Sequence, residues 1–356
     1  IWFFVGLGCF VVSLGWFVEP FLVDVARHGW MAPFALSLMA AGFALFWWAA
    51  AQISGRRWIA LSLVAALTLV EAARSFILTG FPWALVGHIW IETPVAQLSA
   101  FTGPHGLNLL TFALAASLAA ILRGRYKYAA FPIAVAICWP LLAPKSAEIS
   151  PDRPLVRIVH PNIPQNEKWD PALRASNFDK QLLLTQSETP ADLVVWPESS
   201  VTELMENAQP SFNVMSDFAG GAPLITGVQR RSQNQIYHNA LVVLGRGGDV
   251  TGLYDKKHLV PFGEYIPGGE LAGKMGIRGL AATEGGGFTA GDGSKTLNVP
   301  GIGTIRPLIC YEGIFPEEVR TPGERPELLV LITNDGWFGN GAGPMQHLRQ
   351  AELLSI

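Results

Sequence analysis

Charge is what this chain of 356 residues has least of. Asp, Glu, Lys and Arg make up 15% of it, against roughly a quarter in an average soluble domain. The shortage is local: 13 of the first 150 residues are charged, and 40 of the remainder. Two different kinds of chain are therefore joined, and a single soluble globule is excluded. Disorder is excluded as well, because it needs low hydrophobicity with high net charge and half of these residues are hydrophobic. A net charge of −3 with no large basic patch argues against a nucleic-acid partner. Three cysteines, Cys9, Cys138 and Cys310, are too few for a disulfide framework, and no CxxC or HxxxH pair marks a structural metal. Cys9 and Cys138 lie in apolar runs and read as packing residues. The sequence starts at Ile1 inside an apolar run and stops at Ile356 in what reads as a helix. It reads as a fragment truncated at both ends, so the lack of a leader excludes nothing.

The first 150 residues hold the long apolar runs. Crossing a bilayer takes about 17–25 residues. Ile1–Val18, Trp30–Ile53, Trp58–Leu78, Leu107–Leu122 and Tyr128–Ala143 give about five expected spans, the last two needing flanking residues. Buried core helices of a soluble protein are the alternative, but these runs leave too little polar surface to cover them. Glu71 and Arg74, spaced i, i+3, can pair on one face of the third run. Such a pair marks either a functional site or a helix end facing protein or water. The basic residues Arg56, Arg57, Arg123, Arg125 and Lys127 fall in two connections, whereas Thr79–Gly106 has no Lys or Arg. The positive-inside rule then puts the two basic loops in the cytoplasm and everything after Ala143 outside. Within the outer connection, Gly80–Leu85 reads as a re-entrant or interfacial segment, with Trp83 and Trp90 as interface anchors.

After Pro151 short β-rich runs alternate with helical stretches and turns. Strands are expected at Leu155–His160, Leu193–Trp196, Leu224–Gln229, Ala240–Leu244, Gly252–Tyr254, Thr304–Ile309 and Leu328–Thr333. Helices are expected at Pro171–Glu188 and Pro316–Arg320, with a hairpin turn at Arg246–Asp249. This alternation predicts a layered α/β domain over residues 151–356. Gly268–Gly293 is glycine-rich and reads as a long mobile loop.

Three chemically able residues end apolar strands: Glu198 after Leu-Val-Val-Trp-Pro, Lys256 after Gly-Leu-Tyr-Asp, and Cys310 after Arg-Pro-Leu-Ile. Ligand sites of open α/β sheets lie beyond the carboxyl ends of strands. Taken singly, a cysteine after a strand is usually packing, a lysine there is usually solvated, and Glu198 could cap a helix starting near Val201. Taken together they make a candidate constellation for covalent catalysis. A thiol needs a neighbouring base or positive field to become a nucleophile, and a fixed cation stabilises the oxyanion that follows. The turn that Cys310 opens into a helix would favour the thiolate further.

The segments Val194–Ser199, Tyr254–Pro267 and Leu308–Glu312 resemble the nitrilase (carbon–nitrogen hydrolase) superfamily. Within it, Lys257–Glu264 behind a multi-span region resembles the bacterial apolipoprotein N-acyltransferases, as do Val159–Gln165 with Lys168-Trp169 and Asn334–Gly339. The resemblance implies a multi-span α-helical membrane domain, residues 1–150, followed by a nitrilase-like αββα sandwich, residues 151–356, with its C-terminal end missing. It makes Glu198 the general base, Lys256 the catalytic lysine and Cys310 the nucleophile. Glu264 and Glu312 become supporting residues: Glu264 orienting Lys256 or assisting proton transfer, Glu312 holding the thiol's surroundings or meeting an amine. Tyr311, Trp169 and Trp337 are candidates for the acyl pocket, with core packing the competing reading. His258 reads as a packed, hydrogen-bonded histidine.

The function the resemblance implies has two steps. Cys310 takes an acyl group from the sn-1 ester of a phospholipid, typically phosphatidylethanolamine, as a thioester. The α-amine of a diacylglyceryl-cysteine at an apolipoprotein N-terminus then takes it from sulfur. No metal or organic cofactor is implied, and the expected protein is a monomer in the bacterial inner membrane with its catalytic domain in the periplasm. The alternative is a membrane-tethered amidase or nitrilase-type hydrolase that passes the acyl group to water. A transporter or lipid-binding scaffold carrying a dead enzyme domain is a third reading, disfavoured by the intact Glu198, Lys256 and Cys310.

Overall fold

The computed structural model describes residues 1–55, 58–142, 152–232, 235–267, 287–293, 295–320 and 325–356, with the backbone alone at 128 and 142. Arg56–Arg57, most of the Gly268–Gly293 loop and the end of the fifth apolar run lie outside the described residues. The chain divides into two compact units: Ile1–Glu148 with Phe338–Ile356, and Ile149–Trp337.

The first unit is helical. Its main helices are α1 (Trp2–Ser13), α2 (Ala32–Ile53), α3 (Ile59–Arg74), α4 (Ser99–Ile121) and α5 (Ala130–Leu142). Small residues let the helices approach: a Cβ on Gly6 of α1 would come within 3.2 Å of the Ala44 backbone in α2. The outer faces stay apolar, with Phe4, Val12, Leu38, Trp48, Leu61 and Phe101 all exposed. A helix apolar all round belongs in lipid or in a large core. By length and composition, Val25–Ile53 and Pro94–Ile121 are long and apolar enough to cross a bilayer, and Trp2–Ser13 with Gly15–Leu22 qualifies as a pair bent by 64°. α3 and α5 are shorter, at 16 and 13 residues.

The Glu71–Arg74 pair faces protein. Its salt bridge is 2.5 Å long with both side chains buried. Trp47 Nε1 donates to Glu71 Oε1 at 2.6 Å, and Arg74 donates to the carbonyls of Phe81 (2.6 Å) and Trp83 (3.0 Å). The guanidinium also lies over the rings of Phe10 and Phe43. The pair thus fastens the broken segment after α3 to the helices. That geometry corrects one expectation: Trp83 is no surface anchor. It is 1% exposed, stacks on Phe81 and His347, and donates to Gln346 Oε1 at 2.7 Å. Gln346 belongs to the C-terminal helix Ala342–Leu354, where the sequence reads as helical. Trp90 is half-buried and donates to Thr111 at 2.9 Å.

The second unit holds two sheets. The larger runs β1 (Val156–Ile158), β2 (Leu193–Val195), β4 (Leu224–Arg231), β5 (Tyr237–Leu244) and β6 (Val250–Asp255), with β3 (Val201–Leu204) also pairing β4. β1, β2 and β4 are parallel, and β4, β5 and β6 antiparallel. The smaller comprises β7 (Leu297–Val299), β8 (Gly303–Ile309) and β9 (Leu328–Ile332). Period-two alternation sorts side chains between two cores. Val194, Ala240, Val242 and Leu244 face Leu182 of helix Arg174–Thr185 and Phe212 and Met215 of helix Gln209–Phe218. Leu193, Val195, Leu241 and Val243 face Ile305, Ile309, Val330 and Ile332 of the smaller sheet. The expected α/β layering is therefore present, with observed boundaries within a few residues of the predicted ones. Val201 opens strand β3 rather than a helix, so Glu198 caps nothing. β3, β7 and the helix Gln209–Phe218 were not foreseen.

Candidate active site

Glu198 sits three residues beyond β2, its carboxylate buried where the chain crosses to β3. Close approach of β4 makes this possible: a Cβ on Gly227 would lie 2.6 Å from Glu198 Cα and 2.4 Å from Ser199 N. Ser199 itself takes a left-handed φ of 47°. Lys256 follows β6 directly and is held in the ladder by its N–H to the Asn239 carbonyl, 2.8 Å. Cys310 follows β8 and opens a five-residue 3₁₀ turn, Cys310–Ile314, at a φ of 49°. A non-glycine residue there is strained, and such strain concentrates at functional sites.

The three strand ends share one buried polar cluster. Lys256 Nζ lies 2.9 Å from Glu264 Oε2 and 3.7 Å from Glu198 Oε1, and Lys256 is only 1% exposed. Asn239, in β5, donates to Glu198 Oε1 (2.8 Å) and Glu264 Oε1 (2.9 Å). The N–H of Asn334 donates to Glu198 Oε2 at 3.0 Å, and that of Val260 to Glu264 Oε2 at 2.8 Å. Lys168 Nζ donates to the Glu198 carbonyl at 2.8 Å.

Burial and charge set the protonation states. Burial alone would lower the Lys256 ammonium. Glu264, with Cys310 and Glu198 behind it, instead holds it above the usual lysine range. Burial pushes the Cys310 thiol well up, the Glu198 charge adds to that, and Lys256 and a hydrogen bond with Thr333 only partly oppose it. Burial and the Glu198 charge thus work against the thiolate, and a thiol in such a setting needs a base to react. Burial lowers Lys168 to about 8 against the opposing fields of Glu198 and Cys310.

Glu312 is fully buried. Its Oε1 accepts from the Tyr254 hydroxyl (2.8 Å) and from the N–H groups of Lys257 (2.8 Å) and His258 (3.1 Å), and its Oε2 accepts from the N–H of Ile309 (2.7 Å). It ties the nucleophile's turn to the loop carrying Lys256. The Tyr311 ring packs edge-on against His258 and Phe315, and His258 stacks on Phe315 at 3.8 Å. Trp169 and Trp337 are partly exposed. Trp169 follows Lys168, and Trp337 lies three residues after Asn334, so both sit on segments that touch Glu198.

Sequence reasoning missed Asn239, Lys168 and Asn334 as members of the cluster. Lys168 and Asn334 lay in segments whose resemblance had been noted. Asn239 follows His238 just before the apolar run Ala240–Leu244 and carries no local signal. Among the described residues no group of three or more His, Cys, Asp or Glu could hold a metal.

Comparison with known proteins places the chain in a family. Residues 1–118 match the apolipoprotein N-acyltransferase N-terminal domain, and residues 155–356 match the carbon–nitrogen hydrolase family. The apolipoprotein N-acyltransferase of Caulobacter vibrioides is 36% identical over 99% of this chain and 71% of its own length. That of Brucella suis biovar 1 is 34% identical over 100% and 71%. Among solved structures, a carbon–nitrogen hydrolase from Helicobacter pylori G27 aligns with 45% of this chain and 55% of its own, at 20% identity and a TM-score of 0.34. A helical, lipid-compatible unit and a hydrolase unit with a buried thiol thus coincide with a two-part match across nearly all of the sequence, and the chain belongs to the apolipoprotein N-acyltransferases, membrane-bound bacterial enzymes built on a carbon–nitrogen hydrolase domain.

Proposed function

We propose that this chain moves a fatty acyl group from the sn-1 position of a phosphatidylethanolamine-like phospholipid to the α-amine of a diacylglyceryl-cysteine at an apolipoprotein N-terminus. The observation that carries the chemistry is a lysine ammonium held between two carboxylates, 2.9 and 3.7 Å away, with the buried thiol of Cys310 within its electrostatic range. Glu198 takes the thiol proton as sulfur attacks the ester carbonyl. The oxyanion develops beside the Lys256 ammonium and a backbone N–H near Tyr311. The C–O bond breaks, and the proton on Glu198 goes to the departing lysophospholipid oxygen. In the second half the neutral α-amine attacks the thioester and gives its proton to Glu198. The C–S bond breaks, and sulfur recovers the proton.

Glu264 orients Lys256, and Glu312 holds the loops on either side of Cys310. With four donors already on its carboxylate, Glu312 is better suited to that task than to meeting the amine. Trp169 and Trp337 line the acyl path. All of these groups come from one chain, which supports a monomeric catalyst. The exposed basic residues Arg123, Arg125 and Lys127 support a cytoplasmic connection and, by alternation, a periplasmic hydrolase unit in the inner membrane.

The test separates transfer from hydrolysis. Full chain in detergent is mixed with phosphatidylethanolamine labelled in its sn-1 chain and a diacylglyceryl-cysteine peptide. Label on the peptide α-amine is expected. Release of label as free fatty acid, with none on the peptide, would favour the membrane-tethered hydrolase.

A further inference from the structure

We propose that Asn239 is a positioning residue of the acyl-transfer site, holding Glu198 and Glu264 apart as two hydrogen-bond acceptors around the Lys256 ammonium. The inference rests on the function proposed above. Two buried carboxylates share this site, and donors placed between them offset the repulsion of like charges. Asn239 gives one amide hydrogen to Glu198 Oε1 (2.8 Å) and the other to Glu264 Oε1 (2.9 Å). The remaining oxygens accept the N–H groups of Asn334 and Val260, and Glu264 Oε2 also takes Lys256. All four carboxylate oxygens are thereby acceptors, which leaves Glu198 able to receive the thiol proton.

The fold puts Asn239 where both carboxylates can be reached. β5 lies between β4, which packs against the Glu198 turn through Gly227, and β6, which ends at Asp255 just before Lys256. The same residue's carbonyl accepts the Lys256 N–H. Packing does not explain an asparagine here. Its Oδ1 is buried without a hydrogen-bond partner, a loss of about 1–3 kcal/mol, and the next five residues of β5 are all apolar and buried. An amide is kept at this cost for its two N–H donors. Both carboxylates fix its orientation, since the reversed amide would turn oxygen toward them.

The test uses the full chain in detergent and follows acylation of Cys310 by a para-nitrophenyl ester through the nitrophenolate burst, with labelled phospholipid as a second donor. Asn239→Asp keeps the volume but replaces both donors with an acceptor. It is expected to slow the burst by about 100-fold, the low end of what a positioned general base supplies. Exchanging the partners, Asn239→Asp with Glu264→Gln, lets the Gln amide donate to Asp while its oxygen still accepts Val260 and Lys256. This double variant is expected to recover at least about tenfold over Asn239→Asp, a coupling that a volume-filling role does not produce. If Asn239→Asp does not fold, Asn239→Ala, judged by its melting temperature, is expected to slow the burst by at least about tenfold. A burst within about threefold of wild type in a folded variant, or no recovery in the exchange, overturns the proposal. Wild type that gives the burst but takes no acyl group from phospholipid would instead count against the acyl donor proposed above, while the variant comparison would still decide the role of Asn239.

Discussion

Two buried ion clusters, one in each unit, differ in what they leave over. In the helical unit Glu71 meets Arg74 one to one, and the rest of the guanidinium and carboxylate is taken up by Phe81, Trp83 and Trp47. Charge is balanced, and the pair fastens a broken segment to its helices. In the hydrolase unit one lysine faces two carboxylates, and a thiol lies close by on a strained turn. A buried pair is by itself weak support for stability, since desolvation consumes much of its attraction. On the mechanism proposed above, the contrast is between a structural pair with matched charges and carbonyl partners and a cluster whose acceptors lie beside a thiol.

Substitutions can break this contrast, the most severe at the nucleophile. Cys310→Ala is expected to abolish thioester formation and all transfer. Cys310→Ser should be nearly as poor, because a hydroxyl is much harder to ionise beside the same base. Transfer retained in the alanine variant would contradict the mechanism. Next come Glu198→Gln and Lys256→Met, each expected to lower acyl-enzyme formation by about 100-fold or more, measured as a single turnover. If the helical pair is structural, Arg74→Met instead strands Glu71 and costs about 3–5 kcal/mol. It should lower the melting temperature in detergent while leaving acylation measurable in the fraction that stays folded. Full stability with lost acylation would move that pair to the functional side.

A smaller effect sharpens the picture of Lys168. Its folded pKa of about 8 lies below the usual lysine value, so between about pH 8 and 10.5 the unfolded chain binds more protons than the folded one. Stability contributed by this group is thus lowest below pH 8 and rises through that window, by at most about 3 kcal/mol. Lys168→Met should flatten the rise in a series of denaturant melts, and an unchanged slope would contradict it. Smallest is Glu312→Gln, which faces one buried N–H with an amide donor and should cost about 1–3 kcal/mol. It is expected to spare the order of the half-reactions.

Strand ends made the candidate site legible: Glu198, Lys256 and Cys310 each follow a strand, and the structure brings those ends to one buried cluster. Asn239 was not legible, because its two bonds depend on the register of β5 between β4 and β6 and on a loop returning to Glu264, none of which is local in sequence. The helix Gln209–Phe218 puts Phe212 and Met215 on one face, a pattern of only two anchors that sequence reasoning did not assign. Trp83 looked like an interface anchor because its neighbours are proline and glycine, yet those turns fold it inward onto His347, more than 260 residues away. Most of the Gly268–Gly293 stretch, expected from its glycines to be a long mobile loop, lies outside the described residues.

The central claim is that Cys310 carries the acyl group. Intact-mass and peptide mass spectrometry of the full chain, incubated with phosphatidylethanolamine and no acceptor, tests it directly. The account predicts a mass increase of one fatty acyl group, mapped to the peptide containing Cys310, removed by hydroxylamine and discharged on adding a diacylglyceryl-cysteine peptide. An acyl group found on another residue, or transfer to the peptide with Cys310 never acylated, would contradict it.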